Sequence, residues 1–368
     1  MMVEIVMAEA SGSGKLRDGR GRRRGLDALP PALSALRLRE REYAVERLVG
    51  AGERYARGMD STPTRIPLAQ WAESGRTITW RGHAIFTRTG GPADAPALLL
   101  IHGFPTASWD WEALWAPLAA RYRLVTLDML GFGLSAKPPR HDYSLMEQAD
   151  LCEHVLADAG VADYHVLAHD YGDSVAQELL ARMGEPGARP LLRSVAFLNG
   201  GLFPETHRPA LIQRLLLSPL GPVVARLASR RALAGTMRRI FGARTPPDAA
   251  LLDTFWTLMT NHDGRGVMHR LMRYMVERRT HRARWVGALQ AARVPLKVID
   301  GAADPISGAH MVARYRDLVP HPDVTLLADI GHYPQVEAPD AVLAAYLAFR
   351  DTATGSPAFS ASRTWSRT

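Results

Sequence analysis

Hydrophobic and polar positions alternate or cluster along this chain in ways that predict a sheet. Residues 77–80 and 84–86 form two short strand-like segments separated by Arg81 and Gly82, which indicates an antiparallel pair. Continuous apolar runs follow, and such runs are typical of parallel strands buried on both faces. They lie at residues 97–101, 124–127, 166–168, 195–198, 296–299 and 324–327.

Helical spacing fills most of the segments between these runs. Ser144 and Glu147 have the spacing of a capping box, and the apolar face that follows them ends at Gly160. A second helix is predicted between Asp170 and Gly184. Because strand, helix and strand repeat, we expect an α/β class with a mostly parallel sheet flanked by helices.

The strand pattern stops between residues 203 and 285, where Leu- and Arg-rich segments with helical spacing replace it. We interpret this stretch as a helical cap inserted after the sixth strand. It divides the predicted core into residues 65–202 and residues 286–352. Residues 353–368 are Ser/Thr-rich and predict a flexible tail.

Residues 1–64 form a basic extension that we expect to be largely disordered, because a Gly-, Ser- and Arg-rich segment has little to bury. Within it, residues 34–58 can form a charged helix with a thin apolar stripe. Two interpretations stay open: the extension is an accessory segment, or the natural protein starts at Met59.

Composition limits the class of protein. Charged residues make up 22% of the chain and hydrophobic residues 47%, as in ordinary soluble proteins, and no apolar run approaches the ~20 residues of a membrane span. Glu4 and Glu9 interrupt the first apolar residues, so no secretory signal is predicted and a cytoplasmic location is expected. Cys152 is the only cysteine, which excludes a multi-cysteine metal site. We expect neither a metal nor a cofactor.

The formal net charge is +8, which raises the question of nucleic-acid binding. The positive residues are spread over the extension and the middle third of the chain, and no known binding motif accompanies them. A basic stretch at residues 270–284 has the helical spacing of a solvated face. No nucleic-acid partner is therefore expected.

The segment around Asp170 turns a buried strand sharply into a helix. Small residues stand two positions before and two positions after it, at Ala168 and Gly172, which is the spacing of a nucleophile elbow. The usual serine is absent, and Ser174 lies one helical turn further on. Asp170 is thus the candidate nucleophile. The alternative is that it caps the helix, a role that Asp173 can also fill.

Two other groups follow in the chain order nucleophile, acid, histidine. Asp304 lies in a loop after the seventh apolar segment, and His332 follows the eighth. Both positions are at the carboxyl ends of strands, where function is located in open α/β sheets. Asp300 is a competing acid, but its place at the very end of a strand favours a role in supporting the loop.

The residues His102, Gly103 and Phe104 also leave a buried strand. The backbone N–H of Phe104 can supply one donor of an oxyanion hole, and the N–H of Tyr171, the residue after the candidate nucleophile, can supply the second. Asp128 and the glycine-containing segment after it are assigned to a structural turn beside the site.

With these motifs the chain resembles the epoxide hydrolase and haloalkane dehalogenase branch of the α/β-hydrolases, and most closely the mesoderm-specific transcript family within it. The likeness extends from about residue 71 to about residue 349. It is carried by residues 102–111 (HGFPTASWDW), 169–180 (HDYGDSVAQELL), 198–209 (LNGGLFPETHRP), 284–289 (RWVGAL) and 332–335 (HYPQ). The resemblance implies the α/β-hydrolase fold with an inserted helical cap.

The resemblance also implies a mechanism. Asp170, already ionised near neutral pH, attacks a saturated carbon without the help of a base and forms an alkyl-enzyme ester. His332, oriented by Asp304, then activates the water that hydrolyses this ester. The expected partners are a small apolar substrate and water.

The leaving group stays open between two chemistries. An epoxide needs a proton donor, which in epoxide hydrolases is a tyrosine of the cap, and Tyr274 is the only tyrosine of the predicted cap. Tyr274 is either that acid or an aromatic packed under the cap, and the family commonly uses two such tyrosines. Haloalkane dehalogenases use N–H donors, usually including a tryptophan after the nucleophile, where this chain has Tyr171. Trp109, inside one of the shared motifs, is a candidate substrate or leaving-group contact.

Epoxide hydrolysis is accordingly the first expectation, and dehalogenation of a haloalkane or haloacid is the second. A catalytically quiet ligand-binding protein can be built on the same scaffold, because a fold does not determine a function. A plain esterase would require a serine nucleophile, and no serine stands at an elbow.

Overall fold

The computed structural model describes residues 65–185 and 190–355. The predicted N-terminal extension, with its helix at residues 34–58 and the alternative start at Met59, lies outside the described residues. So do residues 356–368 of the predicted tail, whereas residues 353–355 belong to the last helix.

The described residues contain one sheet of eight strands, in the order β1-β2-β4-β3-β5-β6-β7-β8. The strands are β1 (Arg76–Trp80), β2 (His83–Gly90), β3 (Ala97–Ile101), β4 (Arg123–Leu127), β5 (Asp163–His169), β6 (Leu191–Leu198), β7 (Leu296–Gly301) and β8 (Val324–Leu327). The pairs β1–β2 and β2–β4 are antiparallel, and the other pairs are parallel. This confirms the mostly parallel sheet and the antiparallel start.

Helices connect these strands and cover the sheet. They are α1 (Leu68–Glu73), α2 (Glu112–Ala119), α3 (Leu145–Asp158), α4 (Tyr171–Ala181), α5 (Leu211–Leu217), α6 (Gly221–Arg226), α7 (Arg230–Ile240), α8 (Ala249–Thr260), α9 (Met268–Leu271), α10 (Tyr274–Thr280), α11 (Arg282–Gln290), α12 (Ala309–Leu318), α13 (Pro334–Glu337) and α14 (Pro339–Gly355). Short 3₁₀ turns add Ser108–Trp111, Arg182–Gly184 and Asn261–Gly266.

The centre of the sheet is β3 and β5, which pair in register from Ala97 opposite Tyr164 to Ile101 opposite Ala168. Every residue of β3 is buried, as its continuous apolar sequence predicts. Because neighbouring strands are parallel, their carboxyl ends meet at one edge, and the loops that leave this edge carry the candidate site.

The helix α3 begins at the capping box that the sequence predicts, but only part of that box forms. The Ser144 hydroxyl accepts a hydrogen bond from the Glu147 N–H at 3.1 Å, and Gly160 stands after the helix with φ +65°. The Glu147 carboxylate, however, lies 2.6 Å from His141 Nε2. The predicted capping box therefore forms in one direction, and the second half is replaced by a tertiary contact.

Between β6 and β7 the described chain consists of helices α5 to α11 and their connections; we call residues 203–290 the helical insertion. The boundary predicted at residue 285 falls inside α11. This helix is fixed to the core through Glu178 of α4, whose carboxylate accepts hydrogen bonds from Arg284 and from the Trp285 indole, both at 2.7 Å.

Candidate active site

The turn between β5 and α4 holds Asp170 in a conformation that non-glycine residues rarely adopt, with φ 47° and ψ −102°. Such a conformation costs roughly 1–3 kcal/mol and persists only where the surroundings impose it. Gly172 permits the tight turn, because a Cβ there would lie 2.5 Å from the Ile101 carbonyl oxygen. The Asp170 side chain makes no capping hydrogen bond to the helix, so capping does not explain it.

Asp173 does not cap α4 either, and the suggestion that it does so was wrong. Its side chain is buried in the first turn of the helix, and Oδ1 accepts a hydrogen bond from the Leu198 N–H at 3.4 Å. Burial, followed by the negative charge of Asp170, raises the pKa of Asp173 well above its ordinary value. It is therefore a buried link between α4 and β6.

The two oxygens of the Asp170 carboxylate have different surroundings. Oδ2 accepts a hydrogen bond from the Phe104 N–H at 3.1 Å. Oδ1 lies 4.0 Å from His332 Nε2 and 3.7 Å from Arg278 Nη2. Burial opposes ionisation, but the positive charges of His332 and Arg278 outweigh it and hold the pKa of Asp170 below its ordinary value. The carboxylate is thus ionised, with Oδ1 facing the histidine.

His332 lies next to Asp304, as the chain order predicts. The His332 Nδ1–H donates to Asp304 Oδ2 at 2.7 Å, which leaves Nε2 directed toward Asp170. Burial lowers the pKa of His332, but the carboxylate of Asp304 outweighs it and raises the value to about 9. Burial likewise opposes ionisation of Asp304, yet the charge and hydrogen bond of His332 bring its pKa to about 2.

Asp300, the competing acid, supports the loop. Its Oδ1 accepts a hydrogen bond from Asn199 Nδ2 at 3.2 Å, and the same amide group donates to Asp304 Oδ2 at 3.0 Å. Burial, then the negative charge of Asp304, raises the pKa of Asp300 well above its ordinary value. Asp304 is thus the residue that contacts the histidine.

Asn199 was missed by the sequence analysis. It follows β6 with φ 44°, and its Oδ1 accepts a hydrogen bond from the Gly301 N–H at 2.7 Å. Because its amide reaches Asp304 as well, it connects the ends of β6 and β7. A polar residue directly after a buried strand is the only signal that the sequence offers.

Arg278 was also missed, and its assignment to a solvated face was wrong. It lies on α10 of the insertion and is 2% exposed. Its Nε donates to the Ser174 hydroxyl at 2.6 Å and its Nη2 donates to the Asp170 carbonyl at 2.9 Å. Within the basic stretch at residues 270–284, the Arg278 side chain is therefore buried beside Asp170, while others, such as Arg273 and Arg279, are exposed.

Tyr274 lies one turn before Arg278 on α10 and is buried. Its ring packs on Tyr171, with 5.1 Å between the centroids, and the Arg278 guanidinium carbon lies 4.5 Å from the ring centroid. Gln213 Nε2 donates to the Tyr274 hydroxyl at 3.5 Å. Burial, followed by the charge of Asp170, raises the pKa of the phenol above its ordinary value, so the hydroxyl keeps its proton.

Above Asp170 is a cavity of about 400 Å³. Asp170, His332 and Phe104 line its floor, and Gln213 contributes an amide to its wall. The rest of the lining is largely apolar and comes mostly from the insertion, including Leu211, Leu215, Leu216, Leu233, Met237, Ile240, Met259, Met268 and Met272. An apolar cavity with a few convergent polar groups is the usual form of a small-molecule site.

Comparison with known proteins agrees with this geometry. The family model described as the alpha/beta hydrolase family matches residues 98–345. The chain belongs to the α/β-hydrolase family. This hydrolase is 40% identical to the mesoderm-specific transcript protein of Mus musculus over 292 residues, which are 77% of this chain and 87% of that protein. The predicted likeness to that family is thereby confirmed.

A protein of Mycobacterium tuberculosis provisionally named as the hydrolase LipZ is 41% identical over 285 residues, 77% of this chain and 98% of that protein. Among solved structures, a loop variant of the haloalkane dehalogenase DbeA from Bradyrhizobium elkanii matches with a TM-score of 0.66 and 22% identity, over 79% of this chain and 99% of that chain. At this identity, the match demonstrates a shared fold.

Trp109 of this hydrolase does not occupy the position that was expected of a substrate contact, and that assignment is corrected. Its indole N–H donates to the Ile66 carbonyl at 2.8 Å, and its ring packs near Phe255. Neither Trp109 nor Tyr274 is among the residues that line the cavity, but the Trp109 donor is already bound to a backbone carbonyl, whereas the Tyr274 hydroxyl accepts its hydrogen bond from Gln213. The motif containing Trp109 is therefore structural at this position. Among the described residues, no group of three or more His, Cys, Asp or Glu side chains could hold a metal ion.

Proposed function

We propose that this hydrolase uses Asp170 to form and then hydrolyse an alkyl-enzyme ester, with epoxides as its substrate class. The observation that carries the proposal is the state of the Asp170 carboxylate. It is ionised in an apolar cavity, one oxygen is held by the Phe104 N–H, and the other is 4.0 Å from His332 Nε2. A serine at the same place would need a base before it could attack, whereas an ionised carboxylate needs none.

In the first step, Asp170 Oδ1 attacks a carbon of the epoxide and the carbon–oxygen bond of the ring breaks. The product is an ester on Asp170 whose alkyl group carries the former ring oxygen, and this oxygen becomes a hydroxyl by taking a proton from an acidic side chain. Oδ2 becomes the carbonyl oxygen of the ester while the Phe104 N–H stays bound to it, and the N–H of Tyr171 is the proposed second donor.

In the second step, His332 takes a proton from water, and the hydroxide attacks the ester carbonyl carbon. The tetrahedral intermediate collapses to a diol and the Asp170 carboxylate, and the proton that His332 took from water returns through solvent to the group that protonated the epoxide oxygen. Because alkylation removes the negative charge of Asp170, it also removes one of the causes that raise the pKa of His332. Ester formation therefore lowers the pKa of His332, so that more of the imidazole loses its proton and is in the neutral form that can accept one from water, which suits the order of the two steps.

The leaving oxygen requires a donor on the side of the insertion, and we propose Tyr274. Its hydroxyl keeps its proton, its ring contacts Tyr171 beside the nucleophile, and the cation of Arg278 faces the ring. Halide chemistry has less support, because the indole N–H of Trp109 is bound to Ile66. A serine route also has less support, because Ser174 is buried inside α4 and accepts a hydrogen bond from Arg278.

The test separates the two steps by removing the base. His332→Gln incubated with an aryl epoxide should gain the mass of one substrate, and digestion should locate it on the peptide with Asp170, because attack needs no base but hydrolysis does. Asp170→Asn should gain nothing. Ser174→Ala in the His332→Gln background is the matched control and should be labelled equally.

Substrate class is tested in the same assay with a bromoalkane of similar size. Labelling by the epoxide and none by the bromoalkane supports the epoxide assignment. Labelling by the bromoalkane with release of bromide, and no labelling by the epoxide, would instead support a dehalogenase. An adduct on Ser174, or none on any variant, would contradict the aspartate mechanism.

A further inference from the structure

The helices α5 and α6 expose an unusual set of apolar side chains. Leu211 is 73% exposed, Leu220 64%, Val223 57% and Leu227 75%, and Leu215 is 38% exposed. Leu211 and Leu215 are four residues apart on one helical face, as are Val223 and Leu227. We call these five residues the apolar face. Concentrated apolar exposure of this kind marks a surface that binds a partner or a membrane.

The apolar face lies within a segment whose charged residues are all positive. Residues 206–247 contain eight arginines and neither aspartate nor glutamate. Two of these arginines are neutralised from outside the segment, Arg230 by Asp253 and Arg244 by Asp329. Within the described residues, five exposed arginines of α5, α6 and α7 make no ion pair: Arg214, Arg226, Arg231, Arg238 and Arg239.

The cavity above the nucleophile reaches this same surface. Leu211 and Leu215 of the apolar face line it, and so does the exposed Arg239 on α7. An apolar ligand bound at the apolar face would therefore meet the cavity lining directly. These lining residues, the apolar face and the unpaired arginines thus all lie between residues 211 and 239.

We propose that the apolar face docks on an anionic phospholipid bilayer. Its leucines and valine enter the boundary between headgroups and acyl chains, and the unpaired arginines contact the headgroup phosphates, as in helices that lie in the plane of a membrane surface. The helices involved are short, and within the described residues no helix is long and apolar enough to cross a bilayer. The proposal concerns binding and does not depend on which bond the site cleaves.

The test is co-sedimentation of the full chain with vesicles of phosphatidylcholine, with and without phosphatidylglycerol. The wild type should bind the anionic vesicles, and binding should weaken as salt is added. The triple variant Leu220→Asp, Val223→Asp and Leu227→Asp should lose at least ten-fold in apparent affinity. These three residues do not line the cavity, so turnover of a water-soluble substrate should be unchanged.

A second variant tests charge without changing the apolar face. Arg231→Gln with Arg238→Gln should weaken binding to anionic vesicles by roughly 30-fold, about five-fold per arginine, and leave thermal unfolding unchanged. The matched control is Leu191→Asp on β6, a site 45% exposed and outside the apolar face, which should bind as the wild type does.

Three outcomes would overturn the proposal. One is equal sedimentation of the wild type and both face variants, and another is no binding of the wild type to anionic vesicles. The third is a wild-type dimer in solution that the triple variant converts to a monomer without any vesicle dependence, since the occupant of the face would then be a second copy of the chain.

Discussion

The cavity has two unlike walls. On the side of the sheet, Asp170, Asp304 and His332 end strands or follow them, and hydrogen bonds of 2.7–3.1 Å orient their side chains. On the side of the insertion, the wall is mainly Leu, Ile and Met side chains. Hydrogen bonds fix direction, whereas apolar contacts mainly require volume. Changes to the polar groups beside Asp170 should therefore have large effects whichever side they belong to, and changes away from the cavity should have small ones. Four predictions test that order.

The largest effect is expected from Asp304→Asn on the sheet side. The amide keeps the shape but cannot hold the same tautomer of His332 or stabilise its cation, so ester hydrolysis should slow by roughly 10⁴-fold. Alkylation of Asp170 should continue, and the ester should accumulate in single-turnover mass measurements. If hydrolysis slowed by less than ten-fold, Asp304 would not be the partner of the histidine.

The second effect concerns Tyr274, on the insertion side. Tyr274→Phe keeps the ring but removes the hydroxyl, so alkylation by an aryl epoxide should slow by roughly 100-fold, while hydrolysis of the preformed ester should hardly change. Stopped-flow measurement of the two steps checks this. If both steps ran at the wild-type rate in Tyr274→Phe, Tyr274 would have a packing role alone and the epoxide assignment would be weakened.

The third effect is a shift in pH dependence. Arg278→Met removes a positive charge 3.7 Å from Asp170 Oδ1, so the pKa of Asp170 should rise. Alkylation requires the ionised form, and its acidic limb should therefore move to higher pH, by about one unit, which is ten-fold in rate at a fixed pH well below the original pKa. Arg279→Met, at the exposed neighbouring position, is the matched control and should leave the limb in place.

The smallest effect is expected from Trp109→Phe. The change deletes the N–H that binds the Ile66 carbonyl, so unfolding free energy should fall by about 1 kcal/mol in denaturant titrations. Both catalytic steps should stay within about two-fold of the wild type. A large loss of alkylation with normal stability would restore Trp109 as a substrate contact.

The same contrast explains what the sequence could predict. The proximity of Asp170, Asp304 and His332 could be predicted because each follows a strongly apolar strand, and parallel strands bring their carboxyl ends together. Arg278 was not found because helical spacing does not tell which face of a basic helix is buried. Asn199 was not predicted because it contacts Asp304 and not His332 or Asp170. The role of Asp173 was misjudged because its hydrogen-bond partner lies on β6, 25 residues away in the sequence.

Because Arg278 lies on α10, the ionisation of Asp170 and the docking of α10 on the core are coupled. An ionised Asp170 attracts Arg278 and so favours the docked helix, and by reciprocity the docked helix favours ionisation. Once the ester forms, Asp170 is neutral and that attraction is lost. The proposed reaction therefore loosens the seating of α10 only while the ester exists, and the carboxylate that hydrolysis restores seats the helix again before the diol leaves.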